Sequence, residues 1–102
     1  MRVIIDTHVK KFLDKLDKHS SEKAYGYLKF FETYGYNLPS SFLKKIKGNL
    51  WELRPARLRL FLYVKADTAI IVHAIIKKSQ KIQQKDLEVI IQRAKNYEKT
   101  ES

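Results

Sequence analysis

The chain has 102 residues and a formal net charge of +10, from 21 lysines and arginines against 11 aspartates and glutamates. This length suits a single domain with one core. Cysteine is absent, which excludes disulfide bonds and thiolate metal sites. No apolar run approaches the roughly 20 residues that span a membrane. The charged N-terminal segment does not resemble a signal peptide, so we expect a cytoplasmic protein.

The basic surplus is spread over the whole chain. Residues 1–48 hold 10 basic and 5 acidic side chains, and residues 49–102 hold 11 and 6. A surplus of this size predicts salt-dependent attraction to nucleic acid or to an acidic protein. A well-solvated, soluble surface is the alternative interpretation.

The N-terminal part predicts a strand followed by two helices. Residues 2–6 have the β-branched character of a short strand, and Asp6 or Thr7 can cap the first helix. A Ser-Ser pair at 20 and 21 offers a second cap, and Gly35 suits the end of the second helix. Because the connection is short, the two helices should form an αα-hairpin across a sheet.

Three segments of the second half predict a meander of strands. Residues 50–54 and 58–65 alternate between apolar and polar side chains. Residues 69–76 form an almost uninterrupted apolar run, which is typical of a central strand covered on both faces. A third helix is predicted from near Gln83, ending in a polar tail at about 98–102.

These elements predict one α+β domain over residues 1–102. We expect an antiparallel-rich sheet of about four strands, an N-terminal αα-hairpin and a C-terminal helix. Lys44, Lys45 and Lys47 precede the meander. They are either edge charges that discourage sheet aggregation or contacts to RNA.

The alternation in residues 58–65 separates two faces of one strand. Leu58, Leu60, Leu62 and Val64 can be buried, whereas the other face carries Arg59, Phe61, Tyr63 and Lys65. If that second face is open, it presents a cation beside two aromatic rings. Such a surface suits single-stranded RNA, whose bases stack and whose phosphates attract cations.

Three motifs carry a family resemblance. They are LWELR at 50–54, LRLFLY at 58–63, and IIVHAIIKKSQK at 70–81, followed by an amphipathic helix. The series resembles the RelE/HigB toxin superfamily and, more narrowly, its phage-derived HigB-like branch. The resemblance implies a type II toxin that cleaves messenger RNA on the ribosome and is silenced by a helix-turn-helix antitoxin.

The motif positions imply the functional residues. The match falls on Trp51, Glu52, Leu53, Arg54, Arg59, His73, Lys77, Lys78, Gln80 and Lys81. Ala74 and Ile75 depart from the usual Gly-Phe pair, and Ser79 from a threonine. Ile82 and Gln83 stand where such proteins usually have the threonine cap and the proline that starts the helix.

Cleavage of RNA without a metal or cofactor needs cations for the phosphate, a base and an acid. We predict Arg59 as the catalytic residue that binds the phosphate, because a guanidinium can bind a phosphate bidentately. Lys77 and Lys78 are the other predicted catalytic residues. The predicted RNA-binding residues are Arg54, Arg57, Lys81, Trp51 and Tyr63.

The sequence offers no obvious general base. The acid/base candidates are Glu52, His73 and Tyr97. Each has an ordinary structural alternative: an ion pair with a nearby arginine for Glu52, and core packing for His73 and Tyr97. A basic RNA- or ribosome-binding module without cleavage activity is therefore the alternative function. The third candidate function is that of a ParE-type gyrase toxin, a class that has a similar fold and lacks ribonuclease activity.

Overall fold

The computed structural model describes residues 1–78 and 81–100, without the side chain of Thr100. The described residues form a small α+β domain with three helices and a five-stranded mixed sheet. The elements are β1 (Arg2–Ile5), α1 (Thr7–Asp14), α2 (Lys18–Tyr34), β2 (Leu43–Lys47), β3 (Leu50–Leu53), β4 (Leu58–Lys65), β5 (Thr68–Ile76) and α3 (Gln84–Thr100). Among the helices of these described ranges, none has the length and apolar character of a membrane span.

The sheet has the strand order β1-β5-β4-β3-β2. β1 pairs with β5 in parallel, and the other three pairings are antiparallel. The prediction of a central β5 is confirmed, because β5 lies between β1 and β4. The expected strand count of about four was too low, since the lysine-rich segment at 43–47 pairs with β3 as a fifth strand at the sheet edge.

The two N-terminal helices begin at aspartate caps. The Asp6 carboxylate accepts a hydrogen bond from the backbone N–H of His8, at 2.8 Å, and starts α1. Asp17 caps α2 in the same way, so that helix begins earlier than the predicted Ser-Ser cap. Gly35 ends it with a φ of 55°, a conformation that glycine adopts without strain.

Both faces of the sheet are covered. α1 and α2 bury the face that carries Leu58, Leu60, Leu62 and Val64, as predicted. α3 packs on the opposite face, where Phe61 is fully buried and Tyr63 is 7% exposed. The second face is therefore not open at Phe61 and Tyr63. The strand pattern separates two faces but does not show which helix covers each.

A register shift in the β4–β5 pairing changes the direction of one side chain. Phe61 pairs with His73, whereas the next residue, Leu62, pairs with Ile71. Val72 is the extra residue of this β-bulge. As a result, Val72 packs in the cluster beneath α3, and His73 hydrogen-bonds to the same helix.

Candidate functional site

A cleft of about 400 Å³ opens on the α3 side of the sheet, at the end where β4 begins and β5 finishes. β2 and β3 form one wall, and the first turn of α3 forms another. The described lining residues are Lys44, Lys45, Ile46, Glu52, Arg54, Arg59, Ile75, Lys77, Lys78, Lys81, Ile82, Gln83, Asp86 and Leu87. Arg59, Lys77, Lys78, Lys81, Arg54 and Glu52 were all singled out from the sequence.

The cleft is strongly cationic. Within the described ranges, its lining includes seven lysine or arginine side chains and two carboxylates, Glu52 and Asp86. Cations gathered in a concave surface focus a positive potential and raise the local concentration of a polyanion. The cleft therefore has the charge and the shape to bind a phosphate backbone.

Arg59 is held rigidly in the cleft. Its side chain is 8% exposed, and Nη1 donates hydrogen bonds to the carbonyl oxygens of Ala56, at 2.8 Å, and Leu58, at 2.6 Å. Ala56 adopts a φ of 53°, a left-handed conformation that is uncommon for a residue with a side chain. Burial and the nearby charge of Arg54 lower the pKa of Arg59, whereas Glu52 opposes that shift. An arginine remains charged under these conditions.

Glu52 interacts electrostatically with both arginines of the cleft, Arg54 and Arg59. Its register partner on β4 is Phe61, so its side chain points to the α3 face. Oε1 of Glu52 lies 3.4 Å from Nε of Arg54, at ion-pair distance. The geometry does not make a hydrogen bond, and Arg54 Nε is buried without a hydrogen-bond partner among the described residues.

The lysines after β5 line the cleft on the side away from β2 and β3. The backbone N–H of Lys77 donates to the carbonyl oxygen of Arg57, which fixes the end of β5 beside the β3–β4 turn. Lys78 and Lys81 are exposed. Gln80 and Ser79, both part of the motif assignment, lie outside the described residues.

Asp86 was not identified from the sequence, although it lines the cleft. Its Oδ1 lies 3.0 Å from Nε2 of His73. The other ring nitrogen of His73 lies 3.4 Å from Nη1 of Arg93, which also donates to the carbonyl oxygen of Val72 at 2.8 Å. Because a guanidinium only donates, the tautomer with its proton on Nε2 satisfies both contacts. His73 therefore anchors Asp86 and the start of α3.

Three predicted site residues lie elsewhere. Arg57 lines a second cleft, of about 330 Å³, on the α1/α2 side with His19 and Lys23. Trp51 has Leu62 as its register partner and faces α2. Tyr63 is buried beneath α3, so its ring is not available to stack a base.

Tyr97 lies near the other end of α3, where its hydroxyl donates a 2.6 Å hydrogen bond to Asp6. Burial and this hydrogen bond raise the pKa of Tyr97 to about 12. A phenol with such a pKa is a poor proton acceptor at neutral pH. The hydrogen bond to Asp6 gives the Tyr97 hydroxyl a structural role.

Comparison with protein families identifies the chain. The family model described as phage derived protein Gp49-like (DUF891) matches residues 11–95. The chain belongs to this family. The Gp49-like family is part of the RelE/HigB-like toxin superfamily, and its toxin-type character agrees with the resemblance seen in the motifs. A search of curated proteins found no match.

The Gp49-like match includes every described residue that lines the cationic cleft. Asp6 and Tyr97, by contrast, both lie outside the matched range.

Proposed function

We propose that this Gp49-like protein is the toxin of a type II toxin/antitoxin pair and cleaves messenger RNA on the ribosome. The LWELR and KKSQK motifs support a place in the HigB-like branch of the superfamily. The observation that carries the proposal is the cationic cleft with Arg59 held in it. A helix-turn-helix antitoxin is the proposed partner.

The proposed reaction is an in-line attack by a ribose 2'-hydroxyl on the adjacent phosphate. The new bond joins the 2'-oxygen to phosphorus, and the bond from phosphorus to the 5'-oxygen breaks. A base takes the proton of the 2'-hydroxyl, and an acid returns a proton to the leaving 5'-oxygen. The products are a 2',3'-cyclic phosphate and a 5'-hydroxyl. Because the nucleophile is the substrate's own 2'-hydroxyl, the reaction does not need a metal-activated water.

Arg59 stabilises the charge that builds on the phosphoryl oxygens. The contacts to Ala56 and Leu58 fix its guanidinium before the substrate arrives, which lowers the cost of reorganisation in the transition state. The phosphates on either side of the cleaved one are bound by Lys77, Lys78 and Lys81, which line the cleft away from β2 and β3. Arg54 adds a buried Nε donor, and buried donors are seldom left without a partner.

Glu52 is the proposed proton acceptor. Of the three acid/base candidates, it is the one that lines the cleft, and it lies at ion-pair distance from Arg54. His73 contributes through Asp86, the second carboxylate of the cleft, which it holds at 3.0 Å. Tyr97 has no role in this proposal.

Induced expression of the intact chain in bacteria tests the function, with an Arg59→Ala variant beside it. We expect the intact chain to arrest growth and to create new 5' ends inside translated messages, mapped by primer extension. The variant should do neither. If the intact chain leaves growth and message ends unchanged but the purified protein binds RNA, the alternative of a binding module without cleavage replaces this proposal.

A further inference from the structure

The edge strand β2 separates the cationic cleft from an aromatic surface on the other side of the sheet. The register places Lys44 opposite Glu52, which faces the cleft, and Lys45 opposite Trp51, which faces α2. Lys45 also borders the cleft. A single-stranded nucleic acid that leaves the cleft past Lys44 therefore reaches Lys45 and Trp51 by passing over the edge strand β2.

The aromatic surface is built around Tyr36, in the turn after α2. Its ring centroid lies 4.8 Å from that of Trp51, with an angle of 40° between the planes. Phe31, which is fully buried, supports Tyr36 through an edge-to-face contact at 6.2 Å. Tyr36 is nevertheless 50% exposed. The ring is thus held in place by the core and still available to a ligand.

Cations accompany these rings. The Nζ of Lys45 lies 5.8 Å from the Trp51 ring centroid, within the range of a cation–π contact. Lys47, at the end of the same strand, is exposed. Trp51 is half-buried and Tyr36 is exposed. Accessible aromatic rings beside lysines form the combination that binds single-stranded nucleic acid, because every base has a stacking face and every phosphate a charge.

We propose that Tyr36, Trp51 and Lys45 form a base-stacking subsite for single-stranded RNA that extends from the cleft around the edge of the sheet. The subsite rests on the proposed function for its class of ligand, but it does not require cleavage. A double helix is a poor ligand here, because its bases are stacked on one another and their faces are covered. The edge lysines then bind RNA in addition to protecting the strand from aggregation.

The subsite can be tested without cleavage. Trp51 is the single tryptophan of the chain, so its fluorescence reports directly on a base that stacks nearby. A fully 2'-O-methylated oligoribonucleotide lacks the attacking hydroxyl and stays intact. An abasic oligomer with the same number of phosphates is the matched ligand. We expect the first to quench Trp51 and to bind about tenfold more tightly than the second.

Two variants locate the contact. Tyr36→Leu keeps an apolar side chain on Phe31 but removes the aromatic face, and should weaken binding of the methylated oligomer about tenfold without affecting the abasic one. Tyr34→Leu is the control, because Tyr34 is 57% exposed and lies two residues away. It should bind both oligomers as the unmodified chain does. Circular dichroism checks that both variants fold.

Equal affinity for the two oligomers, or unchanged binding by a folded Tyr36→Leu protein, overturns the subsite. The comparison of the two oligomers uses the unmodified chain, so it decides the question even if Tyr36→Leu fails to fold. Quenching without cleavage of ordinary RNA supports the subsite while contradicting the nuclease. Cleavage that depends on Arg59, without base-dependent binding, supports the nuclease and removes the subsite.

Discussion

The two ends of α3 lie on the same face of the sheet but differ in how their charges are balanced. Near the C-terminal end, Asp6 accepts hydrogen bonds from Tyr97 and His8. Near the N-terminal end, the described part of the cleft brings seven cations together with two carboxylates. One end is closed by internal contacts, and the other is left with an excess of positive charge.

This difference separates structural from functional polar groups. Like charges held close together repel one another and reduce stability, so a cluster without internal compensation indicates a site for a ligand of opposite charge. The Asp6–Tyr97 contact needs no ligand, because each group satisfies the other. The excess charge around Arg59 is the stronger indication of function.

The largest expected effect comes from Arg59, the second residue of β4. Arg59→Ala should reduce the rate of RNA cleavage about a thousandfold, the effect of losing a preorganised group that stabilises the transition state. Arg57→Ala is the matched control, because Arg57 lines the second cleft on the other face, and should change the rate less than about threefold. Rates are measured on ribosome-bound message, with thermal unfolding as the check on folding. Equal losses for both variants would place the substrate across the turn instead of in the cleft.

The two carboxylates of the cleft should differ in their effect. Glu52→Gln removes the proposed proton acceptor and should slow cleavage about a hundredfold. Asp86→Asn weakens the contact with His73 and should slow cleavage about tenfold by loosening the start of α3. Glu88→Gln, on the exposed side of the same helix, serves as the control for charge. A larger loss for Asp86→Asn than for Glu52→Gln would assign the base to Asp86.

Two double substitutions compare the cleft with the C-terminal half of α3. Lys77→Gln with Lys78→Gln should make the negative slope of log affinity for RNA against log salt shallower by about 1.4, because about 0.7 counterions per phosphate contact are released from a single strand. Lys95→Gln with Lys99→Gln, on the exposed C-terminal half of the helix, should leave the slope unchanged. The measurement is a binding titration at several salt concentrations. Similar slopes for the two pairs would mean that RNA attraction is a property of the whole surface.

The sequence predicted the cations of the cleft better than their surroundings. Arg59 and the lysines after β5 could be found because they belong to short motifs at strand ends. Asp86 could not, since it reaches His73 across 13 residues and through a β-bulge that no local pattern reveals. An acidic residue in the first turn of a helix ordinarily indicates a favourable helix dipole and nothing more.

The other differences between the expectations and the structure have similar causes. The alternation in β4 separated its two faces correctly, but the order of packing decided that α3 would cover Phe61 and Tyr63. Arg57 precedes the strand, so alternation does not apply to its direction, and it lines the cleft on the other face. β2 was underestimated as a strand because three of its five residues are lysines, which have low strand propensity.

The smallest expected effect is on stability alone, at the closed end of α3. Tyr97→Phe removes the hydrogen bond to the Asp6 carboxylate and should reduce the free energy of unfolding by about 1–2 kcal/mol at pH 7, without changing cleavage. Burial raises the pKa of Asp6, but the hydrogen bonds from Tyr97 and His8 outweigh it and lower the pKa overall. That contribution is therefore present above the unfolded pKa of about 3.9 and is lost as the pH falls below it.

The alkaline side of the same contact follows the opposite sign. The pKa of Tyr97 is raised to about 12, so its contribution is complete below the unfolded pKa of about 10 and is lost between about pH 10 and 12. Chemical denaturation from pH 3 to 12 should show both losses in the unmodified chain and a flatter profile in Tyr97→Phe. A Tyr97→Phe protein that keeps its stability but loses cleavage would contradict this assignment and return the phenol to the catalytic candidates. Loss of stability with cleavage intact would confirm that the Tyr97–Asp6 contact has a structural role at the closed end of α3.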